Sequence, residues 1–324
     1  MRVFINGFGR IGRSVLRAYM QSPATWPMLK IAGINDIAVA DMCAYLFEFD
    51  SIYGPWRGTV SLTDTALVVN GQAIPLQSTQ DISTLNLKGV DVVMECTGRA
   101  DGLAVAQRGL QAGAGRVLVS GPSAAAEYTV VLGANDAGLA RQRIVSNASC
   151  TTNALAPLVR LIHENWGVIT GSMTTIHCYT GSQPTTDAPA ADYARSRAAA
   201  LSMVPTTTSA QRLLDLVLPA TAGRIHAQAV RVPTASVSAV DLCVMVERAP
   251  TVDAVNTAFR NAGGVIGATD RALVSSDLRA RPESIIMACP ETRVTPQGLL
   301  RVFGWYDNEW GFSNRMLDVA ARMG

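Results

Sequence analysis

Lysine is almost missing from this chain. Lys30 and Lys88 are the only two, although Lys and Arg together number 27 against 25 Asp and Glu in 324 residues. Charged residues make up 16% of the sequence, where roughly 25% is usual for soluble proteins. A net charge of +2 without a basic cluster argues against a nucleic-acid site or a polybasic membrane surface. No run of 18 or more apolar residues occurs, so no membrane-spanning helix is expected. The chain reads as a strand from residue 2 onward, which leaves no room for a cleaved signal. The six cysteines, at 43, 96, 150, 178, 243 and 289, contain no Cys-x-x-Cys pair. That usage fits the reducing cytoplasm, with five of the six expected as small core fillers. Internal repeats and low-complexity tracts are absent too. What is plentiful is apolar residues, 48% of the chain. So little charge on so apolar a chain predicts a surface partly covered by copies of itself. The length predicts two domains.

Val3-Phe4-Ile5 is a short apolar run, followed at once by Gly7-Phe8-Gly9-Arg10-Ile11-Gly12 and then by apolar residues at helical spacing. Strand, glycine turn and helix form the context of a dinucleotide fingerprint. Gly7 permits the turn, Gly9 lets backbone approach a pyrophosphate, and Gly12 lets helix pack on strand. A second apolar strand, 31–34, ends at Asn35-Asp36, and Asp36 lies 24 residues beyond Gly12. A carboxylate at about that interval binds ribose hydroxyls and repels a 2′-phosphate, which favours NAD over NADP. A turn residue after a strand is the alternative reading of Asp36. Further strands at 90–95, 116–120 and 128–131, with a helix over 103–112, predict a parallel sheet covered on both faces. Thr97, Gly98 and Ser120 lie just past strand C-termini, where such sheets bind ligands. Ordinary turn chemistry would also place them there.

The stretch around which the chain is organised is Ser146 to Asn153. A β-branched run leads into it, and a helix is predicted from about Thr151. Cys150 then lies in a first helical turn, where free N–H groups and the peptide dipoles favour a thiolate. A long strand, 168–177, ends in His177, one of only three histidines. His177 is a candidate base for Cys150, or a hydrogen-bonded histidine at a sheet edge. The 181–201 stretch has little periodicity and is expected to be a functional loop. Thr208 or Ser209 should cap a helix over 210–218. Arg195 and Arg231 could supply charge to a phosphate there, though solvated arginines are common. Strands at 225–232, 237–247, 284–287 and 300–305, with one helix at 252–261, predict an antiparallel sheet. A helix over 312–323 should return to the first domain.

These motifs, in this order, resemble the bacterial type of phosphorylating glyceraldehyde-3-phosphate dehydrogenase over essentially the whole length. The matching stretches are INGFGRIGR, SNASCTTN at 146–153, TTIHCYT at 174–180, RSRAAALSMVPTTT at 195–208, AVRVPT at 229–234 and WYDNEWGFS at 305–313. The resemblance implies an α/β fold, a Rossmann-type doubly wound parallel sheet, joined to an α+β catalytic domain with a mainly antiparallel sheet. The expected boundaries are 1–149 with 312–324 for the NAD-binding domain and 150–311 for the catalytic domain. It implies a cytoplasmic homotetramer oxidising glyceraldehyde 3-phosphate with NAD and inorganic phosphate, through a thiohemiacetal and a thioester on Cys150, with His177 as base. Thr180 and Arg231 would hold the substrate phosphate. Ser149, Thr151, Thr208 and Arg195 would hold inorganic phosphate, with Ser209 beside them. Gly7, Phe8, Gly9, Arg10, Ile11, Gly12, Asp36, Thr97, Gly98, Ser120 and Asn308 would serve the cofactor, Asn308 through the nicotinamide carboxamide. No metal is implied.

Three residues depart from the family pattern: Ser209 in place of a glycine, Phe312 in place of a tyrosine, and Ala154 in place of a frequent second cysteine. Asp187 and Pro189 match the NAD type, whereas Ala188 replaces a larger apolar residue. Erythrose-4-phosphate dehydrogenase, which hydrolyses its acyl-enzyme, is the nearest alternative. Tyr179-Thr180 and Thr206-Thr207-Thr208 resemble the phosphorylating type instead. A noncatalytic RNA-contacting relative is disfavoured by intact Cys150, His177 and Asn308.

Overall fold

The computed structural model describes residues 1–190 and 192–324. They form two compact units, one of residues 1–130, 136–148 and 313–324, the other of residues 131–135 and 149–312. In the first unit the strands are β1 (Arg2–Asn6), β2 (Lys30–Asn35), β3 (Val60–Leu62), β4 (Ala66–Val69), β5 (Gln72–Gln77), β6 (Val92–Glu95), β7 (Arg116–Val119), β8 (Tyr128–Thr129) and β9 (Ile144–Ser146). They lie in the order β3-β4-β5-β2-β1-β6-β7-β9-β8. From β5 to β8 every pairing is parallel. Near-continuous apolar strands such as Val92-Val93-Met94 are fully buried, as a sheet covered on both faces requires.

Strand β1 sits between β2 and β6, so the order reverses across it, and the glycine turn leaves its C-terminal end for helix α1 (Arg10–Gln21). Such a switch point is where open α/β sheets bind ligands. Gly7 holds φ +92°, and a Cβ there would stand 2.7 Å from the Cys96 carbonyl carbon and the Thr97 nitrogen. A Cβ on Gly12 would stand 2.0 Å from the Gly7 carbonyl oxygen. The turn is closed by backbone against backbone, and side chains are excluded sterically.

Between Asp36 and residue 90, where the sequence shows no clear periodicity, lie helix α2 (Ala40–Glu48) and the antiparallel run β3-β4-β5. These strands are short, with β3 and β5 largely exposed and β4 largely buried, so none shows a clear alternation. One legible signal was there. Asn70-Gly71 both take positive φ, the two-residue hairpin turn between β4 and β5. The helix expected over 103–112 divides at Gln107 into α3 (Leu103–Ala106) and α4 (Arg108–Gln111), with Gly109 set tight against Val93 and Val117. Arg17, buried in α1, ties this unit together. Its guanidinium donates to the carbonyls of Phe47, Glu48 and Gly54 and so braces the loop that follows α2.

The second unit begins with helix α5 (Cys150–Trp166), which packs on β10 (Val168–Cys178), β13 (Ser238–Val246) and α6 (Ala210–Val217). Its sheet also contains β11 (Val204–Thr206), β12 (Ile225–Val232), β14 (Ile266–Thr269), β15 (Ile285–Ala288), β16 (Arg293–Val294) and β17 (Leu299–Tyr306), in the order β11-β12-β10-β13-β17-β15-β14 with β16 on β17. Most pairings are antiparallel, but β10 with β12 and β14 with β15 are parallel, so the sheet is mixed. Helix α7 (Val252–Ala262) lies against β14. The last helix, α8 (Trp310–Arg322), starts two residues before the expected Phe312, because Asp307 Oδ1 accepts the Trp310 N–H at 2.9 Å.

Two substitutions test the glycine turn. Gly12→Ala should lower unfolding stability by about 2 kcal/mol, because neither partner is a flexible side chain. Gly9→Ala, whose Cβ meets nothing within 4 Å, should stay within about 0.5 kcal/mol of the parent. Urea titration followed by circular dichroism separates the two.

Candidate active site

One end of the second sheet collects chemistry from four strands. In the parallel register of β10 and β12, His177 stands opposite Arg231. Ile176 of β10 pairs with Ala239 of β13, and Ser238 of β13 pairs with Tyr306 of β17. His177, Arg231, Ser238 and Tyr306 therefore share one sheet edge, although they are far apart in the chain. Helix α5 presents Cys150 at its first residue. Ser149 is extended at the N-cap, and its Oγ accepts the Thr152 N–H at 3.1 Å. That cap fixes where the helix starts. Cys150 Sγ then lies 3.6 Å from His177 Nε2.

The electrostatics depart from the sequence expectation of a readily ionised thiol. Burial pushes the Cys150 thiol up; the Thr151 hydrogen bonds and the Arg231 charge pull it down but do not win. His177, 5% exposed, is pushed down to about 4 by burial and then by the Arg231 charge. Both shifts favour the uncharged forms, a thiol beside an imidazole. A neutral imidazole can accept a proton, which is what a general base needs. His177 Nδ1 lies 2.7 Å from both the Cys178 carbonyl oxygen and Arg231 Nη1, and Arg231 also donates to that carbonyl at 2.9 Å. Nδ1 can donate to the carbonyl or accept from Arg231, one at a time. The first tautomer leaves the Nε2 lone pair facing the sulfur.

The remaining phosphate candidates divide. Arg231 is half-buried and has no carboxylate partner among the described residues. Arg195, by contrast, pairs with Asp192 at 3.2 Å and donates to Thr206 and Thr207 at 2.7 Å each. Thr208 Oγ1 accepts the Ala210 N–H, so Thr208 caps α6; Ser209 occupies the N-cap position without a side-chain cap bond. The Thr180 hydroxyl meets the nearby Ser182 hydroxyl at 3.0 Å. Thr151 turns its hydroxyl inward to Tyr306 at 2.9 Å. In the long loop Asp187 pairs with Arg197 and accepts the Ala198 N–H.

Tyr306 and Cys178 lie within the WYDNEWGFS and TTIHCYT motifs, and no local pattern in the sequence marks them as functional. Tyr306 is buried, and its hydroxyl bridges Thr151 and Thr175, 2.7 Å from the latter, so it ties the start of α5 to β10. Its ring meets His177 edge-on at 6.0 Å. Cys178 and Ser238 both approach Asn308 Oδ1, at 3.1 and 3.3 Å. Only a known strand register would have drawn these residues together.

In the first unit a groove of about 510 Å³ opens at the switch point. Of the cofactor candidates, Gly7, Gly9, Asp36 and Thr97 line it, alongside Asn35 and Arg108. Asp36 accepts N–H bonds from Phe8 and Ala38, which anchors the carboxylate at the groove. Phe8 is buried with its ring stacked on Phe47, so only its backbone faces the turn. Arg10 pairs with Asp50 and lies over Tyr53. Ile11 and Gly12 belong to the first turn of α1, Gly98 takes φ +70°, and Ser120 follows β7 with its N–H on Glu95. A dinucleotide fits this groove: a Cβ on Gly9 would occupy open space beside the helix N-terminus, and the acid is in place.

Removing the Arg231 charge tests these assignments. It favours thiolate on Cys150 and opposes protonation of His177. Arg231→Met should therefore move the pH profile of Cys150 alkylation to higher pH and slow iodoacetamide labelling several-fold at pH 7. An unchanged profile would contradict the geometry.

Comparison with known proteins agrees along the whole chain. Residues 1–102 match the family model for the NAD binding domain of glyceraldehyde 3-phosphate dehydrogenase, and residues 149–308 match the model for its C-terminal domain. Glyceraldehyde-3-phosphate dehydrogenase of Cereibacter sphaeroides is 45% identical across 100% of this chain and 98% of its own. The Pseudomonas aeruginosa enzyme of that name is 45% identical across 99% and 97%. Glyceraldehyde-3-phosphate dehydrogenase 1 of Bacillus subtilis is 39% identical across 99% and 97%. With Cys150 facing His177 in one unit and a glycine-turn groove in the other, the chain belongs to the glyceraldehyde 3-phosphate dehydrogenase family.

Proposed function

We infer that this protein is an NAD-dependent glyceraldehyde-3-phosphate dehydrogenase, and that Cys150 and His177 carry the chemistry. The family match over the full chain supports the activity. The 3.6 Å approach of Cys150 Sγ to His177 Nε2 is the observation that carries the mechanism. His177 Nε2 takes the thiol proton, and the sulfur adds to the aldehyde carbon of the substrate. The carbonyl electron pair moves to oxygen, which takes that proton back from His177 and gives a thiohemiacetal on Cys150. NAD, when bound, supplies the hydride acceptor. As the C–H bond breaks, His177 takes the hydroxyl proton, and the carbonyl re-forms as a thioester on Cys150. An oxygen of inorganic phosphate then attacks the thioester carbon, the C–S bond breaks, and the leaving sulfur takes the proton from His177, which regenerates both residues with an acyl phosphate as product.

Arg231, free of carboxylates and beside His177, suits the substrate phosphate, with Thr180 as its hydroxyl partner. Ser149, Thr151, Thr208 and Ser209 lie at the starts of α5 and α6, where backbone N–H groups favour inorganic phosphate, with Arg195 beside them. Asp36 favours NAD over NADP by repelling a 2′-phosphate. Residues 1–149 with 312–324 would act as the NAD-binding domain and 150–311 as the catalytic domain. Among the described residues no helix is long and apolar enough to cross a membrane. All six cysteines are unpaired, which supports the cytoplasm as the compartment. Exposed Tyr193, Leu201 and Met203, at 97%, 84% and 75%, support a homotetramer that covers them.

Steady-state assays test the reaction. NADH formation from glyceraldehyde 3-phosphate should require inorganic phosphate; undiminished rates without it would favour the hydrolytic erythrose-4-phosphate type. Cys150→Ser should lower kcat by roughly a thousandfold or more. Light scattering should give a particle of four 34.3 kDa chains, and a monomer at assay concentration would contradict the tetramer.

A further inference from the structure

Behind the catalytic pair, Cys178 is a buried nucleophilic side chain that the reaction does not use. It ends β10, directly after His177, and is 1% exposed. Its Sγ lies 3.1 Å from Asn308 Oδ1. Ser238 Oγ approaches the same oxygen at 3.3 Å and accepts the Cys178 N–H at 3.1 Å. The roles follow from chemistry. A backbone N–H can only donate, so Ser238 Oγ accepts from it and its own hydrogen is available for Asn308. Burial pushes the Cys178 thiol up to about 12, so the sulfur keeps its hydrogen at neutral pH and donates as well. Two donors converge on one amide oxygen. The amide nitrogen of Asn308, a residue 6% exposed, has no hydrogen-bond partner among the described residues and is left as the outward donor.

We propose that Cys178, together with Ser238, is a positioning residue that locks the Asn308 amide with its oxygen inward and its nitrogen presented to the carboxamide of the cofactor. Flipping the amide would replace an oxygen that accepts from two donors by N–H groups facing one remaining hydroxyl lone pair and a thiol sulfur, a weak acceptor. The geometry thus selects one of two orientations that an unsupported asparagine would share. This inference rests on the reading of Asn308 as the residue that meets the nicotinamide carboxamide.

The experiment is calorimetric titration of the full-length protein with NAD alone, without aldehyde, so that catalysis does not enter the readout. Asn308→Ala should weaken NAD binding about tenfold, and Cys178→Ala about fivefold, the size of one lost hydrogen bond. Cys178→Ser, which restores a donor, should bind within about twofold of the parent. If Asn308→Ala weakens binding but Cys178→Ala does not, the positioning role is overturned while the reading of Asn308 stands. If Asn308→Ala binds NAD normally, that reading fails and the positioning role fails with it. If Cys178→Ser binds as poorly as Cys178→Ala, the side chain matters for packing rather than as a donor, and the proposal is overturned.

Discussion

The approach of Cys150 to His177 depends on where one helix begins. Were α5 to start a residue later, Cys150 would lie outside the helix and the sulfur would no longer be aimed by it. Ser149 sets the start through its bond to the Thr152 N–H, and Tyr306 fixes the same turn to β10 by bridging Thr151 and Thr175. The other partner, His177, is placed by β10, whose register with β12 puts Arg231 opposite. A cap, a buried tyrosine and a strand register together determine one sulfur-to-nitrogen distance.

The charge balance around that pair differs from a simple activated cysteine. A helix N-terminus and a nearby arginine favour thiolate, yet burial outweighs both in the protein without substrate. The same burial, with the Arg231 charge, keeps His177 neutral. These shifts favour an imidazole free to accept a proton over a preformed ion pair. Arg231 faces two ways, toward the Cys178 carbonyl and toward His177 Nδ1, so an anion that engages its guanidinium bears directly on the tautomer of the base.

Local chemistry made much of this legible in the sequence. The turn from Gly7 to Gly12, the acid at Asp36 and the strand-to-helix step at Cys150 each have a spacing that can be read without a structure, and His177 stood out at a strand end. What stayed hidden was non-local. Parallel pairing of β10 with β12 leaves no mark in either strand, so Arg231 could not be set beside His177 by spacing. Tyr306 looks like an ordinary core residue until α5 and β10 bring Thr151 and Thr175 to it, and Cys178 until Ser238 and Asn308 arrive. The strands β3 to β5 are hard to read because runs of three to six residues, exposed in β3 and β5 and buried in β4, show too little alternation, although Asn70-Gly71 marks the β4-β5 hairpin. The upward push on the Cys150 thiol is not legible in the sequence, because burial of a side chain is a property of the packed molecule.

The most direct test of the account is a rapid-mixing experiment with the native protein, NAD and glyceraldehyde 3-phosphate in the absence of phosphate, followed by mass spectrometry of the quenched chain. The account predicts a burst of one NADH per subunit and an acyl group on Cys150, with turnover resuming when inorganic phosphate is added. Sustained turnover without phosphate, or an acyl group on any other residue, would contradict it.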